Sequence, residues 1–161
     1  MFLWFAALAI AGVFLVFRDP AIDYRLIAVG ALLPDPIDAV IRSGIGPAHS
    51  IVTAVGLLFA VMLLTIGKRS LRRRSLAVPI GVFAHLVLDN AWSTTATFWW
   101  PLAGHVGQRE LPFIARGFGV VAAQELIGLV VGAWLYRTFR LSDPTLRTQF
   151  VSTGRIRRDL R

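Results

Sequence analysis

The sequence has no cysteine in its 161 residues, and it has few charged residues. Without cysteine, the chain has no disulfide, no thiolate metal site and no cysteine nucleophile. Charged residues make up only 16% of the chain, whereas hydrophobic residues make up 56%. The mean hydropathy of +0.66 is well above that of a soluble domain of this length, so the composition is typical of an integral membrane protein.

The apolar runs predict an all-α fold, a polytopic transmembrane helix bundle with about five spans, since one span requires roughly 20 mostly apolar residues. The predicted spans cover residues 1–17, 26–41, 49–67, 75–92 and 113–135. No Lys or Arg precedes the first run, which favours an uncleaved span over a cleaved signal peptide. We therefore divide the chain into a transmembrane helical domain, residues 1–136, and a basic, flexible tail, residues 137–161.

The distribution of Lys and Arg predicts the orientation in the membrane. Basic residues are concentrated in a predicted loop at 68–74 and in the tail, and all but three of the 17 lie on one side of the predicted bundle. By the positive-inside rule that side is cytoplasmic, which places the C-terminus in the cytoplasm and the N-terminus outside the inner or plasma membrane. The three exceptions are Arg42, Arg109 and Arg116. The net charge of +8 then indicates contact with anionic lipid headgroups rather than with nucleic acid.

The second predicted span contains two prolines, Pro34 and Pro36, which cannot belong to an uninterrupted helix without loss of backbone hydrogen bonds. We predict that this span is broken near Pro34 and that a second, short helix starts at Asp35. A broken helix at membrane depth is tolerated where it is buried in protein or faces a wet cavity.

Ionisable residues interrupt the apolar runs at positions that share helix faces. A charge at the bilayer centre costs roughly 2.5–3.5 kcal/mol, so such residues usually face the interior of a bundle. His85 and Asp89 are four residues apart, and Asp35 and Asp38 are three apart, so each pair projects from one face. The predicted topology brings both pairs to the outer half of the membrane. The full set is Asp35, Asp38, His85, Asp89 and Glu125, with His49 opening the third span.

Carboxylates and imidazoles at one depth would repel each other or stay unpaired unless a cation lay between them. A divalent metal ion is the simplest such cation, and this donor set suits zinc or manganese, with iron also compatible. The predicted metal ligands are Asp35, Asp38, His49, His85 and Asp89.

Each of these residues also has an interpretation that involves no metal. Asp35 and Asp38 suit the start of a helix. His85 and Asp89 could hydrogen-bond each other, and His49 could be an interfacial residue at a helix entry. Glu125 could satisfy a polar neighbour. These interpretations have to hold independently of one another, so the combination favours a metal site.

The polar residues and their neighbours together resemble one family. The segments that carry the resemblance are Gly-Ala-Leu-Leu-Pro-Asp at 30–35 followed by Asp38, the His49-Ser50 pair, His85 with Asp89, and Trp-Pro-Leu at 100–102. In this order they resemble the YdjM-like, LexA-binding inner-membrane group of membrane-bound metal-dependent hydrolases. The resemblance implies a small helical membrane protein in which the five predicted ligands form the polar signature. The chain departs from the family pattern because it lacks a histidine shortly before His49 and another in the first span.

We predict a membrane-embedded, metal-dependent hydrolase that acts on a lipid or lipid-linked ester or phosphoester. The metal would acidify water and polarise the substrate, and Asp38 or Glu125 is the candidate general base. Arg42, Arg109 and Arg116 could bind an anionic headgroup. The expected partners are membrane lipids and a lipid-like substrate but no nucleic acid, and a homo-oligomer is left open.

Two other functions remain open at this point. Broken helices and intramembrane carboxylates also mark ion pathways, which would make the chain a small metal or proton transporter. Such a path would need ionisable groups on both sides of the midplane, whereas these gather on one side. A non-catalytic accessory protein could dock through the Gly128–Gly132 GxxxG motif and the basic tail, but that role leaves the polar residues unexplained.

Overall fold

The computed structural model describes residues 1–42, 45–93, 95–104 and 116–156, and the regular secondary structure in these ranges is all helical, as predicted. Two single 3-10 turns, Pro47–His49 and Ala91–Ser93, accompany the α-helices. The helices are α1 (Phe2–Phe17), α2 (Tyr24–Leu32), α3 (Pro34–Arg42), α4 (Ile51–Leu64), α5 (Arg69–Ser75), α6 (Ala77–Leu88), α7 (Thr95–Phe98), α8 (Phe118–Thr138) and α9 (Pro144–Thr153).

Among the described residues one helix, α8, is long and apolar enough to cross a membrane. Its most apolar stretch is only 11% buried, unlike the core helix of a soluble protein, whose apolar surface is covered. Helices α1 and α4 are apolar but shorter. Apolar side chains such as Val40 (87% exposed) and Leu64 (79% exposed) also face outward on other helices. Exposed apolar surface on several helices is typical of a protein surrounded by lipid.

The predicted break in the second span occurs between α2 and α3. The N–H of Leu33 donates to the carbonyl of Gly30 at 3.4 Å, and the regular pattern resumes when the N–H of Ile37 donates to Leu33. The interruption follows from the sequence, because Pro34 and Pro36 have no N–H to donate. Helix α3 begins at Pro34, one residue earlier than predicted, so Asp35 lies in its first turn rather than at its N-cap.

Two close helix contacts determine how the bundle packs. Helix α2 lies directly against α6, where a Cβ on Gly81 would come within 2.8 Å of the backbone nitrogen of Ala31 and would overlap other α2 backbone atoms. Helix α1 packs against α8, and Gly128 of the GxxxG motif meets the backbone of Leu3 and Trp4. The buried core between these helices includes Phe5, Phe14, Tyr24, Ile27, Ala31 and Leu135.

The predicted flexible tail instead folds back onto the bundle. Residues 144–153 form α9, which Asp143 caps through the backbone N–H of Thr145 at 2.8 Å. Gly154 ends the helix with a positive φ of 70°, and its carbonyl accepts from the N–H of Tyr24 at 2.9 Å. Ile156 is buried in the core. The sequence did not predict this docking because the stretch is polar, and residues 157–161 of the predicted tail lie outside the described ranges. The predicted loop at 68–74 also differs, since most of it belongs to α5.

Asp23 ties the tail, α2 and the basic helix α5 together. Its buried carboxylate accepts from Arg25 at 3.0 Å and from Arg74 at 3.0 Å, and Arg25 also donates to the carbonyl of Val151 on α9.

Replacing Asp23 with Asn removes the charge that both arginines share, so we expect a loss of about 1.5–3 kcal/mol in stability and faster trypsin cleavage within α9. Asp19→Asn is the matched control, since the Asp19–Arg73 pair is exposed and such pairs contribute little. Equal effects of the two changes would contradict the prediction.

The same contact predicts a pH dependence. Burial alone would raise the pKa of Asp23, but the hydrogen bond and charge of Arg25, followed by the hydrogen bond from Arg74, outweigh burial and hold the pKa below its usual value. A carboxyl whose pKa falls on folding stabilises the fold above its unfolded-state pKa of about 4. That contribution is lost as the pH falls through the lower folded-state pKa. Protection of α9 from an acid-active protease such as pepsin should therefore decrease below about pH 4, and the Asn variant should lack this step.

Candidate metal centre

His49 is held in one orientation by the carboxylate of Asp38. The histidine lies in the 3-10 turn at Pro47–His49, with its side chain 2% exposed. Its Nδ1 is 2.6 Å from Oδ2 of Asp38. The same carboxylate accepts from the N–H groups of Gly46 at 2.7 Å and Ala48 at 3.0 Å, so it acts as an acceptor. The Nδ1 of His49 therefore carries a proton, and in the neutral ring the Nε2 presents a lone pair.

His85 is held in the same way by a backbone carbonyl. It lies in the last turn of α6 and is fully buried. Its Nδ1 is 2.7 Å from the carbonyl oxygen of Ala31 on α2. A carbonyl can only accept, so Nδ1 is the protonated nitrogen and Nε2 is again the bare one. Phe5 of α1 stacks on the ring, with the centroids 4.0 Å apart. The close packing of α2 on α6 thus determines the direction in which His85 points.

The two bare nitrogens face each other and a carboxylate oxygen. Nε2 of His49 and Nε2 of His85 are 3.2 Å apart. Oδ1 of Asp35 is 3.3 Å from the first and 3.7 Å from the second, and this buried oxygen has no hydrogen-bond partner. Three electron-pair donors at this separation repel each other unless a cation lies between them, and one shared proton would join only two of them.

The donor set and its dimensions fit a divalent metal ion. Bonds of about 2.0–2.2 Å to nitrogen and oxygen in a tetrahedral site place neighbouring ligand atoms about 3.3–3.6 Å apart. The three observed separations of 3.2, 3.3 and 3.7 Å lie close to that range. The rings are also oriented by a carboxylate and a carbonyl on Nδ1, as is usual for metal-binding histidines. Asp35, His49 and His85 could therefore hold a metal ion.

The other predicted ligands lie around this cluster in different positions. Asp89, at the C-cap of α6, has Oδ2 at 4.0 Å from Nε2 of His49, wider than the separations within the cluster. Its Oδ1 is 3.1 Å from the guanidinium of Arg116. Asp38 lies behind His49, on the Nδ1 side of the ring, and its oxygens already accept three N–H groups. This position suits a residue that orients His49 rather than one that binds the ion or takes a proton.

The contacts of Glu125 are at the start of α1. One of its oxygens accepts from the N–H of Leu3 at 3.2 Å, and the other is 3.7 Å from the amino group of Met1. No contact joins it to the two histidines within the described part of the chain, so the geometry gives no support to its predicted role as general base. Of the three outer arginines, Arg116 is beside Asp89, whereas Arg109 and the side chain of Arg42 lie outside the described residues.

Sequence reasoning did not find three elements of the site. The carbonyl of Ala31 and the ring of Phe5 carry no sequence signal, because any residue supplies a carbonyl and an aromatic residue in an apolar run is unremarkable in composition. The pairing of Arg116 with Asp89 had a partial signal, since Arg116 is one of the few basic residues predicted on the outer side.

Comparison with known families matches residues 3–146 to the family model described as YdjM inner membrane protein. The chain belongs to the YdjM inner membrane protein family. The match runs from the first turn of α1 to beyond the end of α8 and includes every residue of the candidate metal centre. The predicted family is therefore confirmed, and the protein is an inner membrane protein. A search of curated proteins and a search of solved structures each found no match.

Proposed function

We propose that this YdjM family member is a membrane-embedded, metal-dependent hydrolase that acts on a lipid or lipid-linked ester or phosphoester. One observation carries the proposal: three donors from separate elements converge, and a second group fixes each histidine ring. A purely structural polar cluster would satisfy its acceptors with donors, as buried polar groups normally do, whereas the Oδ1 of Asp35 has no donor when the Nε2 of His49, 3.3 Å away, carries no proton.

The proposed ligands are Asp35, His49 and His85, which leave a fourth position open. Three protein ligands with an open position are typical of catalytic rather than structural zinc sites. When bound, such a metal ion supplies a Lewis acid that polarises a carbonyl or phosphoryl oxygen and lowers the pKa of water. Asp38 and the carbonyl of Ala31 orient the two rings and keep their protons on Nδ1.

Asp89 and Arg116 are the groups proposed to handle the proton and the substrate charge. The Oδ2 of Asp89 is near His49 but outside ligand spacing, a position that suits a proton acceptor for water. Arg116 holds the other oxygen of Asp89 and is about one-quarter exposed, so one face of its guanidinium can meet an anionic ester oxygen. The substrate reaches the site from the bilayer along α3, where Asp35 is partly exposed and Val40 and Ile41 face outward.

We propose that five spans cross the inner membrane and that α2 and α3 together form the second. The cluster then lies at the outer end of the bundle, where α1 starts and α6 ends. Helix α5 and the docked α9 lie at the opposite, cytoplasmic end, and they carry several of the basic residues, as the positive-inside rule requires.

A hydrolase fits the arrangement better than the alternative of a metal or proton transporter. Along α2, from Asp23 to the cluster, the buried residues Tyr24, Ile27 and Ala31 are fully covered and largely apolar. A transport path needs polar groups or water on both sides of the site. This row of residues closes the inner half of the bundle beneath the cluster.

The reaction can be tested with protein reconstituted into nanodiscs of mixed phospholipids in the presence of zinc or manganese. We expect release of a fatty acid or of a phosphorylated headgroup, detected by mass spectrometry, and at least a ~100-fold loss in the Asp35→Asn variant, because a ligand charge is removed. Asp143→Asn makes the same chemical change at the start of α9 and should keep the wild-type rate. Turnover that is equal in Asp35→Asn and wild type, or metal flux without hydrolysis, would refute the proposal.

A further inference from the structure

A cavity of about 550 Å³ opens at the end of the bundle opposite the metal centre, and its lining is strongly basic. Helix α5 contributes Arg69, Arg73 and Arg74, and the end of the docked tail contributes Arg155. Arg74 lies eleven residues before His85 in a mostly helical segment. The helical rise over these residues separates the two by about 16 Å. The cavity is therefore a separate site, and nothing about it depends on the proposed hydrolase.

The described residues neutralise the positive charge of this cavity only in part. Asp23 is the acidic residue among the described lining residues, and it is already shared by Arg25 and Arg74. Arg73 pairs with Asp19 at 2.7 Å. For Arg69 and Arg155, no carboxylate lies within ion-pair distance in the described part of the chain. Among the described residues, two guanidinium groups thus border the cavity without an anionic partner of their own.

The chemistry of the lining points to a phosphate group. All four basic residues are arginines, and the planar guanidinium donates two parallel N–H groups to a phosphate, which a lysine cannot do. Ser70 adds a hydroxyl to the lining. A volume of 550 Å³ is within the usual range for a small-molecule site, and a basic pocket at the cytoplasmic face of an inner membrane protein is in reach of anionic lipid headgroups.

We propose that this cavity binds the headgroup phosphate of an anionic phospholipid and so links the tail to the bundle. The phosphate would lie between Arg69 of α5 and Arg155 of the tail, two elements distant in sequence. Bound lipid would then oppose the separation of α9 from the bundle. The site is an anion site for the cytoplasmic leaflet, separate in position and chemistry from the outer cluster of histidines.

The test uses native mass spectrometry of the detergent-purified full chain, titrated with phosphatidylglycerol or with phosphatidylcholine. The double variant Arg69→Gln/Arg155→Gln removes the two arginines that pair with no carboxylate among the described residues. The control, Arg137→Gln/Arg147→Gln, removes two arginines that are absent from the cavity lining. We expect wild type to prefer phosphatidylglycerol, the cavity variant to bind it at least ~10-fold more weakly and the control to change less than ~3-fold. Phosphatidylglycerol should also slow trypsin cleavage of α9 in wild type but not in the cavity variant.

Competition with inorganic phosphate identifies the source of the anion. Displacement of phosphatidylglycerol by millimolar phosphate in wild type would support a phosphate site that soluble anions share, and failure to displace it would support a site specific for lipid. An equal loss of affinity for phosphatidylglycerol in the cavity variant and the control would mean that binding depends on general surface charge, and it would overturn the proposal. Absence of any preference for phosphatidylglycerol in wild type would overturn it as well. Neither double variant leaves a carboxylate unpaired in the described residues, so their thermal melting should match that of wild type.

Discussion

His49→Ala and His85→Ala are each expected to lower the affinity of the purified protein for zinc by more than about 100-fold. Each change removes one of the three donors that converge at 3.2–3.7 Å. The proposed site has only these three protein ligands, so the two that remain would hold the ion weakly. The measurement is the zinc content after dialysis, followed by titration against a competing chelator. Glu125→Gln is the control, since its contacts are to the start of α1, and it should keep the wild-type affinity.

Asp38→Asn separates the orienting role from a ligand role. If Asp38 only orients His49, the loss should be about 10–100-fold, the usual effect of removing a group behind a metal-binding histidine. Cobalt substituted for zinc should then give the wild-type absorption spectrum once saturated, because the ligands are unchanged. If Asp38 is itself a ligand, as the sequence predicts, the loss should match that of His49→Ala and the cobalt spectrum should change. Wild-type protein that binds no metal in any of these assays would end the metal hypothesis.

The sequence predicts the convergence of the site but not the role of each residue in it. Proline chemistry predicts the break between α2 and α3, and helical spacing predicts that His85 and Asp89 share a face. Both follow from local geometry. Asp35 and Asp38 are equivalent by the same criteria. They differ only in their position relative to the turn at residues 46–49, because the N–H groups of Gly46 and Ala48 engage Asp38.

The docked tail marks another limit of sequence reasoning. Composition identifies residues 137–161 as polar and basic, which suggests a flexible segment. The contacts that hold it are few and long-range: a backbone hydrogen bond from Tyr24 to Gly154, the burial of Ile156, and the donation from Arg25 to Val151. None of these has a periodic signature. The prediction therefore depended on an average property of the segment, whereas the fold depends on a few individual residues.

Gly81→Ala is expected to destabilise the protein by about 3 kcal/mol or more and to reduce metal binding at the same time. A methyl group at this position would overlap the carbonyl of Ile27 and approach the Cα of Gly30 at 2.9 Å. These are backbone atoms of a packed helix, which cannot rotate away as the end of a side chain can. Relief requires α6 to move from α2, and that motion would separate His85 from the carbonyl of Ala31 that orients it.

Gly56→Ala on α4 and Gly12→Ala on α1 are the matched controls, since a Cβ at either position meets no atom within 4 Å. Alanine is favoured over glycine within a helix by about 1 kcal/mol, so these variants should be as stable as wild type or slightly more stable. The measurements are thermal melting in detergent and zinc affinity for all three variants. A loss of stability in Gly81→Ala, with no loss in Gly12→Ala and Gly56→Ala, would show that backbone contact rather than helix propensity determines the stability at Gly81. A Gly81→Ala protein as stable as the controls would mean that α2 and α6 do not pack closely, and the orientation of His85 would then need another cause.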